Sequence, residues 1–167
     1  AAAISHALYG GSAIDWVGRG TGIDDIGLEK KAQVVATSLI SNPTSTKNGI
    51  EALRCLGGRE LAAMAGSIAS ARAKSIPVIL DGFICSAAAA CLENTIPGSL
   101  DHCTAGHESN ENAHRALLGH LQKEPILTLG MRLGEASGGA LAIAVLQGAL
   151  ACHAGMATFS EAGVSEE

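Results

Sequence analysis

Residues 76–82 read IPVILDG, a short apolar run entered by a proline and closed by Asp81 and Gly82. β-Branched side chains suit a pleated surface, and an unbroken apolar run predicts a strand covered on both faces, as in a parallel sheet. The next residues, FICSAAAACLE at 83–93, predict a helix. Upstream, residues 59–74 place Leu61, Met64, Ala65, Ile68 and Ala71 on one helical side. Helix, strand and helix in this rhythm are α/β layering.

The same reading extends outward. Residues 24–40 predict a helix with Leu28, Ala32, Val35 and Leu39 on one face, and Asp24 and Asp25 at its positive end. A polar loop, SNPTSTKNG, leads to a short helix over 49–56 that Gly57 and Gly58 end. Further on, SLDHCTAG at 99–106 is a weaker strand candidate. Residues 110–122 read as helix, PILTLG as a short extended piece, and 136–156 as a long apolar helix. Within that helix GALAIAVLQGALAC, 139–152, is the most membrane-like segment. It is short, rich in Ala and Gly and broken by Gln147, so a buried helix is expected and no membrane span. The opening AAAISHALYGG lacks a Met and begins inside what reads as a helix, which predicts the later part of a longer chain.

Composition narrows the function. The 167 residues suit a single α/β domain. Aromatic residues are 2% of the chain and glycines number 21, so the core must be small aliphatic side chains packed closely. A net charge of −5 with no basic stripe argues against nucleic acid as a partner. Five cysteines, an odd count without CxxC, predict reduced thiols in a cytoplasmic protein.

Ligands of open α/β sheets bind at the carboxyl ends of the strands. Four stretches qualify. GRGTGIDD, 18–25, opens a helix, and its glycines could bring backbone N–H groups to an anion, with Arg19 and Lys31 adding positive charge. It is not the dinucleotide fingerprint, because Ile23 stands where a third glycine is needed, and a plain glycine-rich loop remains open. Asp81 could serve the site or cap the following helix. In HCTAGHESNENAH the residues His102, Cys103, His107 and His114 match no standard zinc spacing, and Ser109 and Asn110 fit a loop, a helix cap or a ligand contact. The fourth stretch, LGEAS, places Glu135 among small and apolar residues, either at a helix N-terminus or as a partly desolvated base.

In order, VGRGTGIDDIGLEKK, LGGRELAAMAGSI, IPVILDGFICSAAA, LTLGMRLGEASGGALAI and MATFSEAGVS resemble the later half of the nicotinate-nucleotide–dimethylbenzimidazole phosphoribosyltransferase (CobT) family, over residues 1 to about 165. The resemblance implies a three-layer α/β/α fold around a mainly parallel, Rossmann-like sheet, here without its N-terminal part. Residues 140–167 would join a small helical domain. It implies a cytoplasmic homodimer that transfers phosphoribosyl from nicotinate mononucleotide to 5,6-dimethylbenzimidazole, giving α-ribazole 5′-phosphate and nicotinate. The motif RLGE places the family's general base at Glu135. Gly20, Gly22 and Lys31 match positions near the phosphoribosyl group, and Ser109 a loop position on the same side. Substrate is β-linked and product α-linked, so a single displacement with inversion is expected, with no covalent enzyme nucleophile, no metal and no cofactor.

Two departures bear on activity. The family's glycine-rich phosphate loop, E-x-G-I-G-N-T, precedes the point where this chain begins, so activity of the chain alone is in question and the missing part could be a separate chain. In ESNENAH, Asn112 and Ala113 replace the usual Pro and Gly of S-x-E-P-G-H. The alternatives are a non-catalytic split or degenerate homologue acting as a binding piece, or the same transfer to another azole, a purine or a phenol.

Overall fold

The computed structural model describes residues 1–19 and 23–164. In chain order its elements are α1 (Ala2–Tyr9), a 3-10 turn (Ala13–Trp16), α2 (Asp25–Ser41), a second 3-10 turn (Pro43–Thr46), α3 (Gly49–Leu56) and α4 (Arg59–Ala73). Then come β1 (Val78–Leu80), α5 (Phe83–Thr95), β2 (Cys103–His107), α6 (Asn112–His120), β3 (Pro125–Leu127) and α7 (Ser137–Gly155). The strands form a parallel sheet in the order β1-β2-β3, with Leu80 opposite Ala105 and His107 opposite Leu127.

Helices cover both faces of β2. Cys103 joins a core with Leu80, Ala87, Ala90, Ala113 and Leu117, which presses α5 and α6 onto one face. Three residues along, a Cβ on Gly106 would point to the Cα of Gly139 in α7, at 3.2 Å. Side chains alternate between faces of a strand, so α7 lies on the other side. Ala87, Ala88, Ala89 and Ala90 are all fully buried. Four alanines in a row let α5 approach its neighbours from several directions, which is how a core nearly without aromatic rings fills its volume.

The scarce aromatics are concentrated at one junction. Tyr9 at the end of α1 stacks on His120 at the end of α6, ring centres 4.3 Å apart, and Trp16 leans on the pair from 6.0 Å. The indole N–H of Trp16 donates to Gly10 O at 2.7 Å. This cluster locks α1 and the first 3-10 turn against α6.

Two expectations need correction. The strand at 76–82 is shorter, Val78–Leu80, and only Leu80 is fully buried. β1 is an edge strand among the described residues, so its flank is not covered as a central parallel strand would be. The apolar helix at the carboxyl end is not buried. Only Gly138, Gly139 and Ala142 of α7 are enclosed, while Ile143, Val145 and Leu150 are exposed. The reason is length. A 19-residue helix runs about 28 Å, whereas the five residues of β2 span about 17 Å, so the sheet is too short to cover all of α7, and the buried residues fall within its first two turns. Among the described residues it is the one helix long and apolar enough to cross a membrane by length and composition.

Candidate functional site

A cleft of about 1400 Å³ opens at the carboxyl ends of β1 and β2. Its walls are largely apolar, with Val34, Met64, Ile79 and Phe83. Lys31, Asp81, His107, Ser109, Glu111 and Glu135 bring polar groups to it. Six chemically able side chains from four separate segments therefore reach one cavity. Parallel connectivity accounts for this, since every strand delivers its following loop to the same edge.

Lys31, Ser109 and Glu135, all singled out in the sequence, line this cleft. Lys31 lies in the second turn of α2, and its ammonium donates to Gly18 O at 3.1 Å. Asp24 caps that helix by accepting from Gly27 N at 2.8 Å. Arg19, expected to add positive charge, is instead paired with Asp25 at the surface. Gly20 and Gly22 lie outside the described residues. The Ser109 hydroxyl accepts from Glu111 N at 3.1 Å, which leaves its own proton available to a ligand.

Glu135 immediately precedes Ala136, the N-cap of α7. It is exposed, and so are its neighbours Leu133 and Ala136, so the apolar enclosure suggested by its sequence context is absent in this chain. Its backbone is unusual. Gly134, Glu135 and Ala136 have φ of 80°, 55° and 61°, three left-handed residues in succession. Non-glycine residues hold that conformation only where the surroundings impose it.

The floor is made by residues whose roles the sequence did not disclose. Asp81 does not cap α5, whose N-cap Gly82 has no side-chain partner. Its Oδ1 accepts from Gly139 N in α7 at 2.8 Å. His107 is 3% exposed, with Nδ1 at 3.6 Å from the same Asp81 oxygen, too far for a hydrogen bond. His114 is fully buried. Its Nδ1 accepts from Ser109 N at 2.9 Å, so Nε2 carries the proton and donates to Ser86 Oγ at 3.1 Å. Burial, reinforced by His107, pushes its pKa down to about 4, so the ring stays neutral. His102 turns away to Ile68 O at 3.0 Å, and no three His, Cys, Asp or Glu side chains among the described residues converge on a metal position. The usable signal for His107 was its place at the carboxyl end of a predicted strand. For His114 there was none, because its role depends on a partner on α5.

The sheet, its covering helices and this cleft at the carboxyl ends of the strands define a Rossmann-like α/β domain. A model of the phosphoribosyltransferase family matches residues 1–164, and the chain belongs to that family. It is 62% identical over 165 residues to a nicotinate-nucleotide–dimethylbenzimidazole phosphoribosyltransferase of Jannaschia sp. (strain CCS1), covering 99% of this chain and 49% of that protein. It is 63% identical over 166 residues to the protein of the same name from Ruegeria sp. (strain TM1040), again with 99% and 49% covered. The crystal structure of CobT from Thermus thermophilus is similar with a TM-score of 0.90 and 40% identity, over 99% of this chain and 49% of that one. The chain spans about half the length of the curated relatives it matches.

Proposed function

We propose that this chain supplies the donor-side half of an active site that transfers phosphoribosyl from nicotinate mononucleotide to 5,6-dimethylbenzimidazole, yielding α-ribazole 5′-phosphate and nicotinate. The observation that carries the reading is the meeting of Glu135, Lys31 and Ser109, from three distant segments, in one cleft. Relatives with that reaction in their names match almost the whole chain.

The chemistry follows from the donor groups. Lys31 and the Ser109 hydroxyl neutralise and orient the phosphate, with Gly20 and Gly22 adding backbone N–H groups. A benzimidazole nitrogen attacks C1′ of the ribose from the face opposite nicotinate, the C1′–N bond to nicotinate breaks, and its electron pair leaves with nicotinate. The azole must lose its other N–H proton, and Glu135 takes it as general base. The single displacement inverts the anomeric centre. Because Glu135 is exposed in this chain, the acceptor and the rest of the protein are what exclude water from it. The same remainder covers the exposed apolar side of α7, which with residues 140–167 belongs to a smaller helical domain in a cytoplasmic homodimer.

The test is an assay of the full-length protein and its Glu135→Gln variant with both substrates, following α-ribazole phosphate by chromatography and mass spectrometry. The variant is expected to lose roughly 10²-fold or more in kcat, the scale of a general base. Equal turnover by both proteins removes Glu135 from that role. The half-length match favours a second expectation: the 167-residue chain alone binds donor without turning over.

A further inference from the structure

The segment that carries Glu135 is tied to the body of the protein at two points. Upstream, Met131 O accepts from Asn110 N at 2.9 Å. Downstream, Asp81 Oδ1 accepts from Gly139 N at 2.8 Å. Between the ties lie the three left-handed residues Gly134, Glu135 and Ala136.

The downstream tie is unusual in its source. Gly139 is the third residue of α7, so its N–H has no partner inside the helix and needs an acceptor. A helix ordinarily finds that acceptor in its own N-cap side chain. Here the N-cap is Ala136, which has none to offer. The acceptor comes instead from Asp81, 58 residues earlier, at the carboxyl end of β1. A local cap would stabilise α7 equally well without fixing it to anything. A cap from β1 fixes the first turn of α7, and the residue just before it, relative to the sheet and the cleft.

His107 completes the grip. Its buried ring stands 3.6 Å from Asp81 and lies so close to α7 that a Cβ on Gly138 would sit 2.0 Å from Nδ1. The first turn of α7 is thus seated on the imidazole and held by the carboxylate.

We infer that Asp81 is a positioning residue for the base: its carboxylate, backed by His107, holds the 134–136 turn and thereby aims Glu135 into the cleft. The inference rests on the reading of Glu135 as the base. Asp81 itself needs no contact with substrate.

A double-mutant cycle in the full-length protein tests it, using Asp81→Ala, Glu135→Gln and the double variant. Asp81→Ala is expected to lower kcat roughly 10-fold or more, with KM for both substrates within about 3-fold. In the Glu135→Gln background the same change should cost less than about 2-fold, because the residue it positions is no longer a base. Asp81→Asn keeps an acceptor oxygen and should recover most of the loss. If Asp81→Ala does not fold, Asp81→Ser, too short to reach the Gly139 amide, takes its place in the cycle. Equal losses in both backgrounds overturn the inference and leave Glu135 as the base. An Asn variant as impaired as the Ala variant also overturns it, since the charge rather than the tether would matter. A Glu135→Gln protein as active as its parent overturns the base assignment and the inference together.

Discussion

Nδ1 of His114 accepts the backbone N–H of Ser109 at 2.9 Å. Through its other nitrogen the same ring reaches Ser86 on α5. One side chain of α6 therefore joins α5 to the loop that presents Ser109 to the cleft. The two nitrogens can be removed separately. An Asn side chain places its oxygen near the Nδ1 position, whereas Gln reaches towards Nε2.

Of these variants, His114→Asn keeps an acceptor for the Ser109 amide and His114→Gln does not. Leaving a buried N–H without a partner costs about 1–3 kcal/mol. On the proposed reaction, the full-length Gln variant should show a KM for nicotinate mononucleotide raised roughly 10-fold, and the Asn variant a much smaller change. Initial rates for both, with melting temperatures as a control for folding, decide the matter. Equal effects would make His114 a packing residue alone.

The same histidine sets a pH dependence of stability. Its pKa is about 4 in the folded chain, against an ordinary value near 6.5. Between these limits the unfolded chain binds the extra proton, so stability falls as pH drops from about 6.5 to about 4 and is level above that window. The full loss is on the order of 3 kcal/mol. Urea unfolding from pH 4 to 8 should show this slope, and His114→Asn should flatten it.

Gly49 and Gly66 should respond oppositely to alanine. A Cβ at Gly49, the first residue of α3, would lie 1.8 Å from the carbonyl oxygen of Cys91 in α5. Neither backbone can yield without parting the helices, so Gly49→Ala should destabilise by about 3 kcal/mol or more. A Cβ at Gly66, inside α4, meets nothing within 4 Å. Gly66→Ala should stabilise by about 0.5–1 kcal/mol, because alanine has less backbone freedom to lose. Denaturation midpoints measured together provide the comparison.

These residues also show what the sequence could disclose. The short helix at 49–56 was legible because the polar loop before it and the glycine pair after it are local signals. The strand carrying Leu80 was legible as an apolar run, though its exposed flank was not, since edge or centre depends on what lies beside it. Hydropathy misled at α7, because an apolar composition says that a surface needs covering without saying which chain covers it. In the site, Glu135, Lys31 and Ser109 came from ordered motifs. The tether from Asp81 to Gly139 and the pairing of His114 with Ser109 and Ser86 were invisible, because each joins segments that only the folded sheet brings together.

The junction of Tyr9, Trp16 and His120 gives the chain an optical address. Trp16 is the only indole in the sequence, and it lies both in the packed core and on the wall of the cleft. Its emission therefore arises from a single environment. Tyr9 lies close enough to pass excitation to it. Undocking of α1 and arrival of a ligand both alter the polarity around the same ring. Folding and occupancy can thus be followed by intrinsic fluorescence without attaching a label.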